Sequence, residues 1–95
     1  MEVSEVVISI VIPAYNYAEK LPRAINSVLG QLDLSKHELI VINDGSTDHT
    51  KKVLSELKNT SEKSFEVIHQ ENSGSAAVRN LGIKLAKGSY LIFRR

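Results

Sequence analysis

Short apolar runs alternate along the chain with stretches whose apolar residues recur every three or four positions. Residues 6–12 are dominated by β-branched side chains, with Ser9 the one polar interruption, which predicts a buried strand. Leu21, Ala24, Ile25, Val28, Leu29 and Leu32 then form one apolar helix stripe. Pro22 fits only the first turn of that helix, and Gly30 stands near its end. Residues 38–42 form a second strand, followed by Ser46, Thr47 and Asp48 as N-cap candidates for a helix that places Val53, Leu54 and Leu57 on one face. Residues 59–64 are polar without periodicity and read as a surface loop, and residues 65–69 as a third strand. Ser73 or Ser75 caps a third helix with Ala77, Val78, Leu81 and Leu85 on its apolar side, Gly88 ends it, and residues 90–93 open a fourth strand.

The alternation of strand and helix implies a mainly parallel four-stranded sheet with right-handed crossovers and helices on both faces, a Rossmann-like three-layer α/β/α arrangement. With 95 residues there is room for one such unit, residues 1–95, and no internal repeat divides it. An apolar content of 42% and a formal net charge of +1 suit a soluble globular protein and supply no broad field to attract nucleic acid or anionic lipid. The absence of cysteine excludes a disulfide framework, a thiolate zinc site and a redox motif. The N-terminal residues include acidic side chains, and the first apolar run stops at Pro13, too short for a signal peptide or membrane span, so a cytoplasmic location is expected. The sequence ends at Arg94 and Arg95, directly after its fourth strand, which would leave a sheet edge bare. The expectation is therefore a truncated piece of a longer domain, self-associating through that edge.

Open α/β sheets bind ligands in the crevice beyond the carboxyl ends of their strands. Pro13, Ala14, Tyr15 and Asn16 occupy that place after the first strand, and Asn43, Asp44, Gly45 and Ser46 after the second. Tyr15 suits stacking on a nucleobase, or else covers the strand end with its hydroxyl in water. Asp44, just past the four apolar residues 39–42, should project into the crevice, where its carboxylate would accept an imide N–H or a ribose hydroxyl; the alternative is an Asx-turn residue that organises the turn after it. Gly45 and Gly74 would let backbone approach a ligand closely, or are plain turn residues, and the helix starts beyond them present N–H groups to anionic oxygens. Asn16, Glu19 and Asn80 read more simply as caps and braces. His37, His49 and His69 have no partner at metal-ligand spacing and read as surface or loop residues.

In this order and spacing, Pro13-Ala14-Tyr15-Asn16, Asn43-Asp44-Gly45-Ser46-Thr47-Asp48 and Asn72-Ser73-Gly74-Ser75-Ala76-Ala77-Val78-Arg79-Asn80 resemble the nucleotide-binding half of family 2 glycosyltransferases of the GT-A fold. The likeness runs from Ile8 to Phe93. It implies a nucleotide-diphospho-sugar transferase fold and a full-length enzyme that moves a sugar, with inversion, from a nucleoside diphosphate sugar to a hydroxyl acceptor. UDP is the donor nucleotide that the resemblance favours. It makes Tyr15 a wall of the base pocket and Asp44 a partner of the base, and takes Arg79 to the base or the pyrophosphate. Pro13, Ala14, Asn16, Glu19, Gly45, Ser46 and Gly74 complete the implied donor site. Such enzymes hold Mg²⁺ or Mn²⁺ through an acidic Asp-x-Asp motif after the fourth strand. Arg94 and Arg95 stand there in this chain, so neither a metal nor a catalytic residue is expected within it, and it should be inactive alone. For the full-length protein, the cytoplasmic expectation extends to the inner face of the membrane.

Two other readings use the same residues. Arg94 and Arg95 could replace the metal by pairing with diphosphate, giving a non-catalytic nucleotide-binding module. A dinucleotide-binding oxidoreductase domain also carries an acidic residue after its second strand, but it needs glycines at the first strand-helix turn, and residues 13–18 contain none. An α/β interaction module without a ligand would leave the three loop motifs unexplained.

Overall fold

The β-branched runs pair side by side, all parallel, in the order β3-β2-β1-β4, in a computed structural model that describes residues 6–33 and 35–94. The elements are β1 (Ile8–Ala14), α1 (Leu21–Leu29), β2 (His37–Asp44), α2 (Thr50–Thr60), β3 (Glu66–Gln70), α3 (Ser75–Leu85) and β4 (Tyr90–Phe93). Alternation along the strands sorts the core into two layers. Ile12, Leu39 and Val41 face α1 and α2, packing with Leu21, Ile25, Val28, Leu54 and Phe65. Val11, Ile40 and Ile42 face the other way, onto Val78 of α3. Side chains such as Leu21, Ile25 and Leu54 are fully buried, each contributing roughly 1.5–3 kcal/mol of transfer free energy. The three-layer expectation holds, with β1 and β2 central and β4 an edge on which Tyr90 and Ile92 lie exposed.

The strand boundaries differ from the sequence expectation. β1 runs two residues later at each end than residues 6–12, because Pro13 is tolerated inside it. The Val11 carbonyl accepts the Arg94 N–H, so that side of β1 faces β4; Pro13, two residues on and pointing the same way, lies beyond the last β4 residue and has no donor to supply there. β2 extends past residue 42 to take in Asn43 and Asp44, which pair with His69 and Gln70. β3 begins at Glu66, leaving Phe65 as a buried residue before it. α2 reaches Thr60, so the expected loop of residues 59–64 is shorter and less free than its polarity suggests: Lys63 donates its ammonium to the carbonyls of Leu29 and Leu32, at 2.9 and 2.8 Å, completing the end of α1. The polar interruption in β1 also has a partner. Ser9, fully buried, donates to Glu38 Oε2 and accepts the Gly88 N–H, while Glu38 Oε2 accepts the Lys87 N–H, tying the turn before β4 to β1 and β2.

The helix starts are not capped as expected. His49 holds the N-cap position of α2 and Gly74 that of α3, neither with a side-chain cap, so Ser73 and Ser75 do not serve. Asp48 compensates at α2 by accepting the Thr50 N–H and hydroxyl. Pro22 lies in the first turn of α1 and Gly30 at its C-cap, as its sequence position predicts.

Candidate functional site at the carboxyl ends of β1 and β2

The three loops at the carboxyl ends of the strands are built mostly from each other. Asn16, in a left-handed conformation (φ 50°), donates its backbone N–H to Ser46 Oγ at 3.0 Å. Its side-chain carbonyl accepts from the Thr47 and Asp48 N–H groups at 2.8 and 3.2 Å. The Ala18 N–H donates to Asp48 and the Tyr17 N–H to Thr50 Oγ1, so the loop after β1 is stitched to the start of α2 along its length. Asn16 and Ser46 are braces here, the role their residue types suggest.

Asn43 and Asp44, adjacent at the end of β2, take opposite tasks. The Asn43 side-chain oxygen accepts the N–H and hydroxyl of Ser46, forming the turn after β2. Its amide nitrogen lies 3.1 Å from His69 Nδ1. With the Asn43 oxygen occupied, that amide donates to a neutral His69 whose proton is on Nε2. Burial and the nearby Lys51 charge hold the pKa of His69 below its usual value, in keeping with that state. His69 thus stands exposed on β3 with a polar partner, and His37, half-buried, opens β2, where its ring accepts the Asp33 N–H.

Asp44 turns its carboxylate the other way, into the loop between β3 and α3. One oxygen accepts from Gln70 Nε2 and the Ser73 N–H, both at 2.9 Å, and the other accepts the Gly74 N–H at 3.1 Å. The residue is 6% exposed and lines a hollow at the strand ends, its carboxylate engaged by three of the protein's own donors. It does not organise its own turn, a job that falls to Asn43. Burial pushes the Asp44 carboxyl up, but the bonds from Gln70, Ser73 and Gly74 outweigh it and leave the pKa below the ordinary carboxylate value. Because the folded value lies below the unfolded one, the ionised carboxylate stabilises the fold above about pH 3.9, and that contribution disappears as pH falls through the folded value. Acidification below about pH 4 should therefore release the Ser73 and Gly74 amides to hydrogen exchange, while the β1 and β2 amides stay protected.

Both glycines have positive φ, 66° at Gly45 and 90° at Gly74. At Gly45 the reason is packing: a Cβ would lie 2.3 Å from the Asn72 backbone nitrogen, so this glycine admits the neighbouring loop and not a ligand. The Asn72 amide closes the contact by donating to the Asp44 carbonyl. At Gly74 the space is open on the Cβ side, which leaves the first turn of α3 uncovered.

Two adjoining hollows result. One, about 300 Å³, is lined by Pro13, Ala14, Tyr15, Asp44, Asn72, Gly74, Ser75 and Val78. The other, about 450 Å³, shares Pro13, Ser75 and Val78 and adds Ala76, Arg79 and Phe93. Tyr15 is 51% exposed, its ring available to a ligand. The fold thus brings together Pro13, Ala14, Tyr15, Asp44, Gly74 and Arg79. Glu19 and Asn16 line a different hollow with Tyr17, Lys20, Asp48 and His49, and neither Gly45 nor Ser46 lines any of the three. Gln70, Asn72, Ser75, Val78 and Phe93 are not site residues in the sequence reading; Asn72, Ser75 and Val78 carried a signal as members of the third loop motif, and Gln70 one as a polar residue close after the third apolar run.

The carboxylates here do not fit a cation. Asp44 already accepts three protein donors, Asp48 accepts from Thr50 and Ala18, and no group of three His, Cys, Asp or Glu side chains among the described residues could hold a metal ion. Arg94, whose backbone extends the β1–β4 ladder, is exposed after β4, and Arg95 lies outside the described residues. No described helix is long and apolar enough to cross a membrane.

Comparison with known proteins gives one consistent result. The model of the glycosyl transferase family 2 matches residues 9–93. A glycosyltransferase of Nostoc sp., alr2836, uncharacterised, is 40% identical over 86 residues, 90% of this chain and 26% of that protein. The structure of S. aureus TarS 1-349 in complex with UDP superimposes with a TM-score of 0.79 at 26% identity, over 93% of this chain and 26% of that one. A mannosyltransferase from Pyrobaculum calidifontis, solved with GDP-Man and Mn²⁺, shares the fold with a TM-score of 0.70 at 20% identity, over 83% of this chain and 24% of that one. The chain spans about a quarter of the length of the Nostoc protein and of these two solved chains.

Proposed function

The chain belongs to glycosyltransferase family 2, and from that premise we propose that its strand-end crevice binds the nucleotide of a nucleoside diphosphate sugar, most favourably UDP. The protein to which it contributes would transfer the sugar, with inversion at the anomeric carbon, to a hydroxyl acceptor. Residues 1–95 supply the donor half of that reaction. No catalytic base is assigned among them.

One observation carries the reading. A carboxylate offers about four acceptor positions, and Asp44 has three filled by its own protein. The remaining one is on the oxygen that binds the Gly74 N–H alone, and Asp44 lines the hollow beneath Tyr15. An imide N–H such as that of uracil matches a single charge-assisted acceptor beside an aromatic face. The base would stack on Tyr15, for roughly 1–3 kcal/mol, and direct its N–H at Asp44. The diphosphate would then run toward the uncapped start of α3, whose Ser75 and Ala76 line the adjoining hollow with Arg79. The UDP held by the TarS relative supports this choice of nucleotide.

The test is calorimetric titration of the chain with uridine and with UDP, each with and without Mn²⁺. UDP should bind more tightly than uridine, because the helix start and Arg79 meet only the phosphates, and Mn²⁺ should leave the UDP affinity unchanged, because these carboxylates are already engaged. Failure of both ligands to bind at millimolar concentration would refute the proposal. Tightening by Mn²⁺ would place a metal site among these residues after all.

A further inference from the structure

The Arg79 guanidinium lies over the Phe93 ring, 5.0 Å from its centre, where the crevice meets β4. The ring belongs to the last residue of β4, beside Val11 of β1, and packs with Val11, Ile40, Ile42 and Val78 under α3. It fits there because of Gly82. A Cβ on Gly82 would stand 3.1 and 3.3 Å from two Phe93 ring carbons and 3.3 Å from a Val11 methyl. Arg79 and Gly82 are three residues apart on α3 and so share one face of the helix: the glycine makes the space, the ring occupies it, and the arginine lies on the ring. Among the described residues no carboxylate pairs with Arg79, so its N–H donors are left to the crevice.

We propose that Phe93 and Gly82 position Arg79 for the donor nucleotide, the ring acting as a shelf that holds the guanidinium flat at the lip of the hollow. The inference rests on the nucleotide reading above. An arginine on a solvent-exposed helix would otherwise sample many rotamers and lose that freedom on binding; a stacked one has already lost much of it. The ring itself need not touch the ligand. Phe93 is a positioning residue in this scheme, and Arg79 is the residue that contacts nucleotide.

UDP titrations of Phe93→Leu, Phe93→Tyr, Gly82→Ala, Arg79→Ala and the Phe93→Leu/Arg79→Ala pair separate this from a packing role, with the Arg79 side-chain proton shifts recorded for each. Phe93→Leu should abolish the upfield ring-current shift of Arg79 and weaken UDP binding roughly two- to fivefold, the strength of an exposed cation–π contact. Phe93→Tyr should retain both shift and affinity. Gly82→Ala, which displaces the ring without removing it, should reduce both. In the Arg79→Ala background Phe93→Leu should cost nothing further, since its effect passes through the guanidinium. Wild-type affinity in Phe93→Leu, or losses that simply add in the pair, would overturn the positioning role while leaving UDP binding intact. If the unaltered chain binds no UDP, the nucleotide reading falls, and this role with it.

Discussion

Asp44→Ala should destabilise the chain by about 2–4 kcal/mol and remove UDP binding. The side chain is buried and accepts three hydrogen bonds, two of them from backbone N–H groups of the loop that leads into α3. Hydrogen bonds to an ionised acceptor contribute more than neutral ones, but Ser73 and Gly74 are exposed, so water would recover part of the loss. The larger consequence is for the site. Without the carboxylate the loop leading to Gly74 and Ser75 keeps only the Asn72 bond to the Asp44 carbonyl as an anchor on β2, and the base has no acceptor. Asp44→Asn separates the two roles: its amide oxygen can still accept from Gln70 and the Ser73 N–H, but its NH2 then faces the Gly74 N–H and the imide, so part of the stability should return while UDP binding stays weak. Thermal unfolding of the two variants beside UDP titrations checks both halves. Equal loss of stability in Asn and Ala variants would argue that charge, not loop anchoring, is what the fold requires.

Gly45→Ala should be comparably damaging although no ligand touches it. The left-handed backbone there costs an L-residue about 1–2 kcal/mol, and the new Cβ would lie 2.3 Å from the Asn72 nitrogen and 2.9 Å from two Asn72 carbons. Backbone must move to relieve that overlap, since the atoms it meets are not the far end of a flexible side chain. The displaced segment carries the Asn72 bond to the Asp44 carbonyl and leads to the Ser73 and Gly74 donors. We expect a loss of about 2–4 kcal/mol, spread between strain and broken bonds, with increased exchange at residues 72–74. Gly74→Ala is the control. Its Cβ meets nothing within 4 Å, so only the backbone term applies and the loss should be smaller.

The difference between these two glycines was not legible in the sequence, where both read as permissive turn positions. What was legible is local. β-branched runs, the spacing of Leu21 to Leu32 and the punctuation by Pro22 and Gly30 are set by neighbours along the chain, and the order of elements then dictates a parallel sheet. Asn43 and Asp44 read as loop because they are polar, yet they complete β2 by pairing with β3, 26 residues away. Which donors meet the Asp44 carboxylate follows from that pairing, since the register puts Gln70 opposite it. The same holds for Arg79, whose partner comes from a strand that crosses to the far side of β1. Motif residues therefore located the crevice, and long-range pairing decided which of them line it and which, like Asn16 and Gly45, support it.

A nucleotide in the hollow lined by Tyr15 and Asp44 would leave a mark on their backbone amides. An amide chemical-shift map of the chain during titration with UDP tests it most directly. The largest shifts are expected at Tyr15, Asp44, Gly74 and Ser75, extending to Arg79, with residues 61–64 at the opposite end of the sheet unmoved. Shifts scattered evenly over the surface, or centred on the hollow lined by Glu19, Asp48 and His49, would contradict it.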